Sequence, residues 1–294
     1  MKSGFVSIVG RPNVGKSTLL NNIMGRKIAI TSSKPQTTRN IIQGIYNDND
    51  TQIVFVDTPG IHKPRYKLGK YLNKQSYTMI DDVDVIIFVI DASAPLGSGD
   101  KFVLEKIKSA KKDTILVINK IDKLTNEEIL LKISECKDLY DFSDIVPVSS
   151  LKNKNIEELI KVIKKYIKDD IQYYPTTDVT NVSTNFMIAE YVREKILNLT
   201  NEEVPHSVTC VVENIEYKKN VVNILVCIIV DRENLKRIII GKNGNMLKKI
   251  GMQSRYDLEQ LFEKKVYLET YVKCIKNWRD KEKYLDELGF NEEK

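Results

Sequence analysis

Gly10-Arg11-Pro12-Asn13-Val14-Gly15-Lys16-Ser17 stands between an apolar run, Phe5 to Val9, and a helical pattern running from Thr18 to Met24. It fits the spacing G-x-x-x-x-G-K-[ST], and a strand before it with a helix after it is the setting a phosphate-binding loop requires. The glycines let main-chain N–H groups converge on phosphate oxygens at a helix amino terminus, where the helix dipole also favours negative charge. Lys16 is expected to neutralise the β- and γ-phosphates, and the Ser17 hydroxyl to ligate Mg²⁺ beside Thr18.

Outward from this loop, apolar β-branched runs alternate with helical patterns: strands near 41–46, 52–57, 85–91, 114–119 and 145–148 follow the first one. Near-continuous apolar strands with intervening helices predict an α/β domain with a mostly parallel sheet, which gathers ligands at the carboxyl ends of its strands. Asn119-Lys120-Ile121-Asp122 closes one such strand. Guanine offers two N–H donors on one edge, and a carboxylate at Asp122 accepts both; adenine would leave that acceptor unpaired. Asn119 is expected to bond the base and the phosphate loop, with the stem of Lys120 over the purine ring.

Asp57-Thr58-Pro59-Gly60, followed by Ile61, ends another strand. Asp57 is placed to hold Mg²⁺ through water and the Gly60 N–H to meet the γ-phosphate, so loss of that phosphate would free the loop. Between the motifs lies Thr37-Thr38-Arg39 in a polar stretch without helical period, with the Thr38 hydroxyl closing on Mg²⁺ when a triphosphate is present. Lys16, Thr38 and Gly60 are therefore the candidate catalytic residues. Ser149 and Ser150 follow the last strand, where main-chain N–H groups could meet the guanine carbonyl.

The chain has 294 residues, 42% hydrophobic and 29% charged, which predicts two globular domains and argues against extensive disorder. No apolar run approaches the roughly 20 residues of a membrane-spanning helix, and the amino terminus enters a strand at once instead of a signal peptide, so a cytoplasmic location is expected. Cys136, Cys210, Cys227 and Cys274 show no paired spacing and read as free thiols. The formal charge of +6 is unevenly spread: from Arg232 to Arg255 seven basic residues face one acid, Glu233. Such a patch attracts phosphate backbones.

The pattern breaks over 169–184, the expected linker between a first domain, 1–168, and a second, 185–294. The second reads as a helix 185–200, strands 206–217 and 221–230, helices 234–240 and 244–262, a strand 265–272 and a final helix 278–288. The turn Ile240-Gly241-Lys242-Asn243-Gly244 lies between the two central helices, with Lys248 and Lys249 close behind. A Gly-x-x-Gly turn lets a sugar-phosphate backbone approach, Lys242 adds charge, and the flanking apolar surface offers a groove for unstacked bases. The order of elements predicts an α+β KH (type II) domain that binds RNA.

The stretches Gly10 to Thr18, Pro35-Gln-Thr-Thr-Arg39 and Asp57-Thr-Pro-Gly-Ile-His62 resemble the Era-like family of bacterial GTPases, and the likeness extends through Glu203-Val-Pro-His-Ser207, Met246 to Gly251 and Val266 to Lys273. The resemblance implies a GTPase that cycles between GTP and GDP with Mg²⁺. It also implies an assembly factor for the small (30S) ribosomal subunit, binding single-stranded 16S rRNA near its 3′ end. Association with the inner membrane face, K⁺ bound at Asn13 and a monomeric state belong to the same expectation. Two departures stand out. Ile61 occupies the position where Ras-like GTPases place a water-orienting glutamine, so slow turnover with a water held by backbone is expected. Asn243 stands where relatives often carry a third glycine. Related GTPases also assist tRNA modification or act in membrane and cell-cycle signalling; the former would need a further catalytic domain.

Overall fold

The computed structural model describes residues 1–34, 37–61, 64 and 66–290; Pro35, Gln36 and His62 of the motifs above lie outside them. Two compact units result. One comprises Met1–Thr31, Thr38–Pro64 and Leu72–Asn181, the other Ser32–Thr37, Arg65–Tyr71 and Val182–Lys294.

From its amino terminus the chain runs β1 (Lys2–Val9), α1 (Lys16–Met24), β2 (Ile42–Asn47), β3 (Thr51–Asp57), α2 (Lys67–Asp81), β4 (Val85–Asp91) and α3 (Ser98–Ala110). It continues through β5 (Asp113–Asn119), α4 (Asn126–Lys137), β6 (Asp144–Val148) and α5 (Ile156–Ile163). The six strands lie in the order β2-β3-β1-β4-β5-β6. Neighbours are parallel throughout except β2, which pairs antiparallel with β3 at one edge. Every residue of β3 is buried, as is all of β4 before Asp91, which a strand achieves only when both its faces are covered. Val103, Leu104 and Ile107 of α3 and Ile129 and Cys136 of α4 share one core cluster with Phe88, Ile90, Leu116 and Ile118. Because β1, β3, β5 and β6 point the same way, the loops that follow them, starting at residues 10, 58, 120 and 149, open at one end of the sheet.

Before Thr184 the expected linker has neither helix nor strand, yet through Asn181 it is bound to the first unit. Asp169 pairs with Ser3, and Thr180 with Gly44. Gln52, fully buried, accepts from the Tyr173 and Tyr174 N–H groups at 2.8 and 3.0 Å. A buried amide needs such partners; its Nε2 donates in turn to the Tyr174 carbonyl at 2.9 Å and to Asn47 Oδ1 at 2.8 Å.

The second unit contains α6 (Thr184–Leu199), α7 (Val204–Ser207), β7 (Val208–Tyr217), β8 (Val221–Val230), α8 (Glu233–Ile240), α9 (Asn245–Phe262), β9 (Lys265–Cys274) and α10 (Glu282–Glu287). β8 is central, antiparallel to β7 and parallel to β9. β9 alternates, with Val266 and Val272 buried and Tyr267, Glu269 and Tyr271 exposed, the mark of a sheet covered on one face. Boundaries differ from the sequence reading at both ends of this unit, and β9 runs on to Cys274. His206 and Ser207 close the helical turn Val204–Ser207, in whose first turn Pro205 loses no hydrogen bond, so the strand begins at Val208. The final helix is split: Trp278–Asp280 form a 3-10 turn, because the indole is wholly buried and its Nε1 donates to the Ser207 carbonyl at 3.0 Å.

Candidate functional site

The loop after β1 is held open by backbone that only glycine tolerates at two points. At Gly15, φ is 101° and an added Cβ would lie 2.4 Å from Asn119 Nδ2. At Gly10, with φ 157°, it would lie 2.5 Å from the Val89 carbonyl. The loop is thus packed against β4 and against the Asn119–Asp122 motif. Asn119 Nδ2 donates to the Val14 carbonyl at 2.8 Å, and its Oδ1 accepts from the N–H groups of Lys120 and Ser150 at 2.8 and 3.0 Å. Lys120 Nζ reaches the Asn13 carbonyl and Asp91 Oδ2, both at 2.7 Å. Burial works against the charge of Asp91, but hydrogen bonds from Lys120 and Ser93 outweigh it and hold its carboxyl below the usual range.

Asp122, exposed at the mouth, accepts from the Ser149 hydroxyl. The Ser149 N–H donates to the Lys154 carbonyl and the Ser150 N–H to Asn119 Oδ1, so this segment is tied to both Asn119 and Asp122. Thr58 Oγ1 bonds the Ile8 carbonyl at 3.0 Å, and Val14, Ile61 and Ile121 are buried core residues. An apolar residue at 61 therefore packs into the core and supplies no water-orienting group.

Ser17, Thr38 and Asp57 converge from α1, the 37–39 segment and the end of β3. Ser17 Oγ lies 2.7 Å from Asp57 Oδ2 and 2.9 Å from Thr38 Oγ1, while Thr38 Oγ1 lies 3.4 Å from the same carboxylate oxygen. Asp57 is completely buried and its second oxygen, Oδ1, has no partner. Burial pushes its carboxyl upward, against Lys16 and the two hydroxyls. Lys16 Nζ, bonded to the Gly10 and Arg11 carbonyls at 3.1 Å, is pushed down to about 8 by burial, with Asp57 opposing. A buried carboxylate with an idle oxygen beside two hydroxyls is an oxygen donor set suited to a small hard dication, so these residues fit Mg²⁺. Across the loop, a Cβ on Gly60 would lie 3.0 Å from Pro12 Cγ, which sets the Asp57–Gly60 segment directly against the phosphate loop.

Sequence reasoning missed two anchors. Arg11 Nε bonds Asp100 Oδ1 at 3.1 Å, and Asp100, almost fully buried, caps α3 by accepting the Gly97 N–H. Asp91 holds Lys120. Both acids lie at the ends of elements that no motif marks.

In the second unit, Gly241 and Gly244 have φ of 72° and 75°, and Asn243 between them has φ 52°. All three positions are left-handed, a region that Asn tolerates better than other non-glycine residues. Asparagine at 243 therefore suits the backbone of this turn. A Cβ on Gly241 would come within 2.7 Å of Met246 Cβ, whereas Gly244 faces open space. Lys242, Lys248 and Lys249 are exposed, and Ile240 is half-buried. Beside the turn runs a groove of about 370 Å³ between α9 and β9, lined by Lys248, Met252, Arg255, Val266, Tyr267 and Leu268. Met252 and Tyr267 escaped the sequence reading, although strand alternation from Val266 places Tyr267 on the outer face.

The fold and both sites define a phosphate-loop GTPase of the guanine-reading class joined to a KH module. A family model described as "50S ribosome-binding GTPase" matches residues 5–120, and one described as "KH domain" matches residues 203–279. Among solved structures, the chain is similar to an Era variant from Aquifex aeolicus bound to GDP and AlF₄⁻, at 42% identity over 99% of each chain and a TM-score of 0.95. It is equally similar, by the same measures, to Era in complex with MgGDPNP and nucleotides 1506–1542 of 16S ribosomal RNA. The chain belongs to the Era family of GTPases.

Proposed function

We propose that this chain hydrolyses GTP to GDP and phosphate and uses its KH unit to bind single-stranded 16S rRNA near the 3′ end during assembly of the 30S subunit. The observation that carries the reading is one chain holding both a Ser17–Thr38–Asp57 cluster with an idle buried carboxylate oxygen and an exposed Gly241–Gly244 turn flanking a basic groove. The relative solved with MgGDPNP and a 16S rRNA fragment supports it.

In this mechanism Asp122 accepts the two guanine N–H groups, held by Ser149, while Asn119 ties base recognition to the phosphate loop through Val14. Lys16 balances phosphate charge, and the main chain of the loop from Gly10 to Thr18 wraps the phosphates. Mg²⁺, held by Ser17 and Thr38 with Asp57 behind, supplies charge stabilisation as phosphoryl transfer spreads charge over the oxygens. Thr38 and the Gly60 N–H orient toward the γ-phosphate, and a water placed by backbone attacks, since Ile61 offers no polar atom. At the KH groove the bare turn admits the sugar-phosphate chain, Lys242, Lys248 and Lys249 neutralise it, and apolar lining meets unstacked bases.

RNA footprinting with the purified chain in GDP and in a non-hydrolysable GTP analogue tests the reading. Protection confined to the 3′ end of 16S rRNA is expected, and protection of tRNA instead would overturn it. K⁺ beside Asn13 is part of the proposal: hydrolysis is expected to be faster in KCl than in NaCl, and equal rates remove that part. The family resemblance also motivates a peripheral contact with the inner membrane face, which requires flotation with anionic vesicles and is refuted if the chain stays at the bottom of the gradient. No helix among the described residues is long and apolar enough to cross a membrane. A single-chain mass in light scattering is expected; a dimer would contradict the monomeric state proposed.

A further inference from the structure

Thr38 is the one residue of the Mg²⁺ cluster that comes from a segment without helix or strand. Its neighbour Thr37 is held from both sides. The Thr37 hydroxyl donates to the Lys34 carbonyl at 2.7 Å, and the Thr37 carbonyl accepts a hydrogen bond from Nη2 of Arg193 on α6. Thr37 and Arg193 belong to the same compact unit. That carbonyl is half of the peptide joining Thr37 to Thr38. Because the peptide is planar, fixing its oxygen fixes the direction in which the Thr38 N–H and Cα leave it.

Arg193 is itself fixed. Its Nε and Nη2 form a fork on Glu190 Oε1 and Oε2, at 2.7 and 2.6 Å, one helical turn earlier. The side chain is only 1% exposed. A buried ion pair of this kind carries a desolvation cost and is weak evidence for a stabilising role. An exposed Glu–Arg pair would serve α6 as well at no such cost. What burial adds is a rigid planar donor whose remaining reach ends on one main-chain oxygen, next to a metal-ligating hydroxyl.

We propose that Arg193 is a positioning residue for GTP hydrolysis: by holding the Thr37 carbonyl it sets Thr38 in the place from which its hydroxyl serves Mg²⁺ and the γ-phosphate. Glu190 acts through Arg193 by fixing the guanidinium plane. Neither residue touches the nucleotide. The role is thus confined to the triphosphate state, because Ser17, Lys16, Asn119 and Asp122 hold GDP without Thr38. The proposal rests on the GTPase reading.

The test compares the full chain with Arg193→Lys, which keeps a buried cation for Glu190 but loses the planar fork, and with Arg193→Ala. Displacing a reacting group by about 1 Å costs on the order of a hundredfold, so kcat is expected to fall by about tenfold to a hundredfold. GDP affinity by calorimetry should stay unchanged. Hydrogen exchange supplies a second readout. In the unsubstituted chain, segment 37–39 should exchange more slowly with a non-hydrolysable GTP analogue and Mg²⁺ than with GDP, and the variants should lose that difference. Millimolar guanidinium should restore part of the turnover of Arg193→Ala. Should Arg193→Ala not fold, as judged by GDP binding and circular dichroism, Arg193→Lys decides. Unchanged kcat with an unchanged exchange difference in Arg193→Lys overturns the proposal, as does a parallel loss of GDP affinity. Absence of GTP turnover in the unsubstituted chain would instead sink the GTPase reading.

Discussion

Replacing Gly15 by alanine is the sharpest local perturbation of the nucleotide site. The residue sits at φ 101°, where a Cβ is strained by about 1–2 kcal/mol, and the new methyl would meet Asn119 Nδ2 at 2.4 Å. Asn119 has nowhere to go: it is 1% exposed and bonded to Val14, Lys120 and Ser150. The nearest relief is to break the Nδ2 bond to the Val14 carbonyl, which adds about 1–2 kcal/mol for a hydrogen bond lost and an acceptor left unsatisfied. The sum, about 2–4 kcal/mol, corresponds to roughly 30- to 700-fold at 1.4 kcal/mol per tenfold. If the loop relaxes, its amides no longer converge and the loss appears in GDP affinity; if it does not, the loss appears as stability. Calorimetric titration with GDP and chemical denaturation of the same sample, added together, should recover the sum. Gly25→Ala is the control, since Gly25 has φ 62° but nothing within 4 Å, so only backbone strain should appear and GDP affinity should hold. A Gly15→Ala chain whose GDP affinity and stability both match the parent would refute the account of how the loop is built.

Asp122→Asn replaces an acceptor-only carboxylate by an amide that presents one donor, so affinity should fall for GDP and rise for the xanthine nucleotide, read by competition binding; unaltered preference would remove Asp122 from base recognition. Gly244→Asp places a carboxylate where the structure leaves open space, so it should carry only the backbone strain of φ 75° yet weaken RNA binding at low salt, whereas Gly241→Ala also meets Met246 and should lower stability further. Equal RNA affinity for Gly244→Asp would argue against backbone approach at the turn. Lys16 offers a pH test with a definite sign. Burial lowers its pKa to about 8 in the nucleotide-free chain and a bound phosphate favours the charged form, so GDP affinity should fall as pH rises above 8, by up to about tenfold per unit. In the nucleotide-free chain the same depression makes stability rise with pH between 8 and 10.5, because the unfolded state then binds more protons, and Lys16→Met should abolish both trends.

Much of this was legible along the chain because the chemistry is local. Eight consecutive residues, Gly10 to Ser17, supply the amides, the ammonium and the hydroxyl that phosphates need, and their glycines signal backbone that other residues cannot adopt. The strands of the first unit announced themselves through near-continuous apolar runs. The 3-10 turn at Trp278 was hidden, since only the indole's burial against the carbonyl of Ser207, 71 residues away, breaks the helix there. The fate of 169–181 was hidden likewise, because polar residues without a period do not reveal that a buried Gln52 will claim their main chain.

What only tertiary structure decided is which distant groups meet. Ser17 finds Asp57 across 40 residues, Asn119 finds Val14 across 105, and Arg193 finds Thr37 across 156. Residue type and spacing state what a side chain can donate, accept or ligate. Whether it does so depends on strand register and on burial, which strip away water and leave each polar atom to satisfy itself with whatever the fold brings within reach.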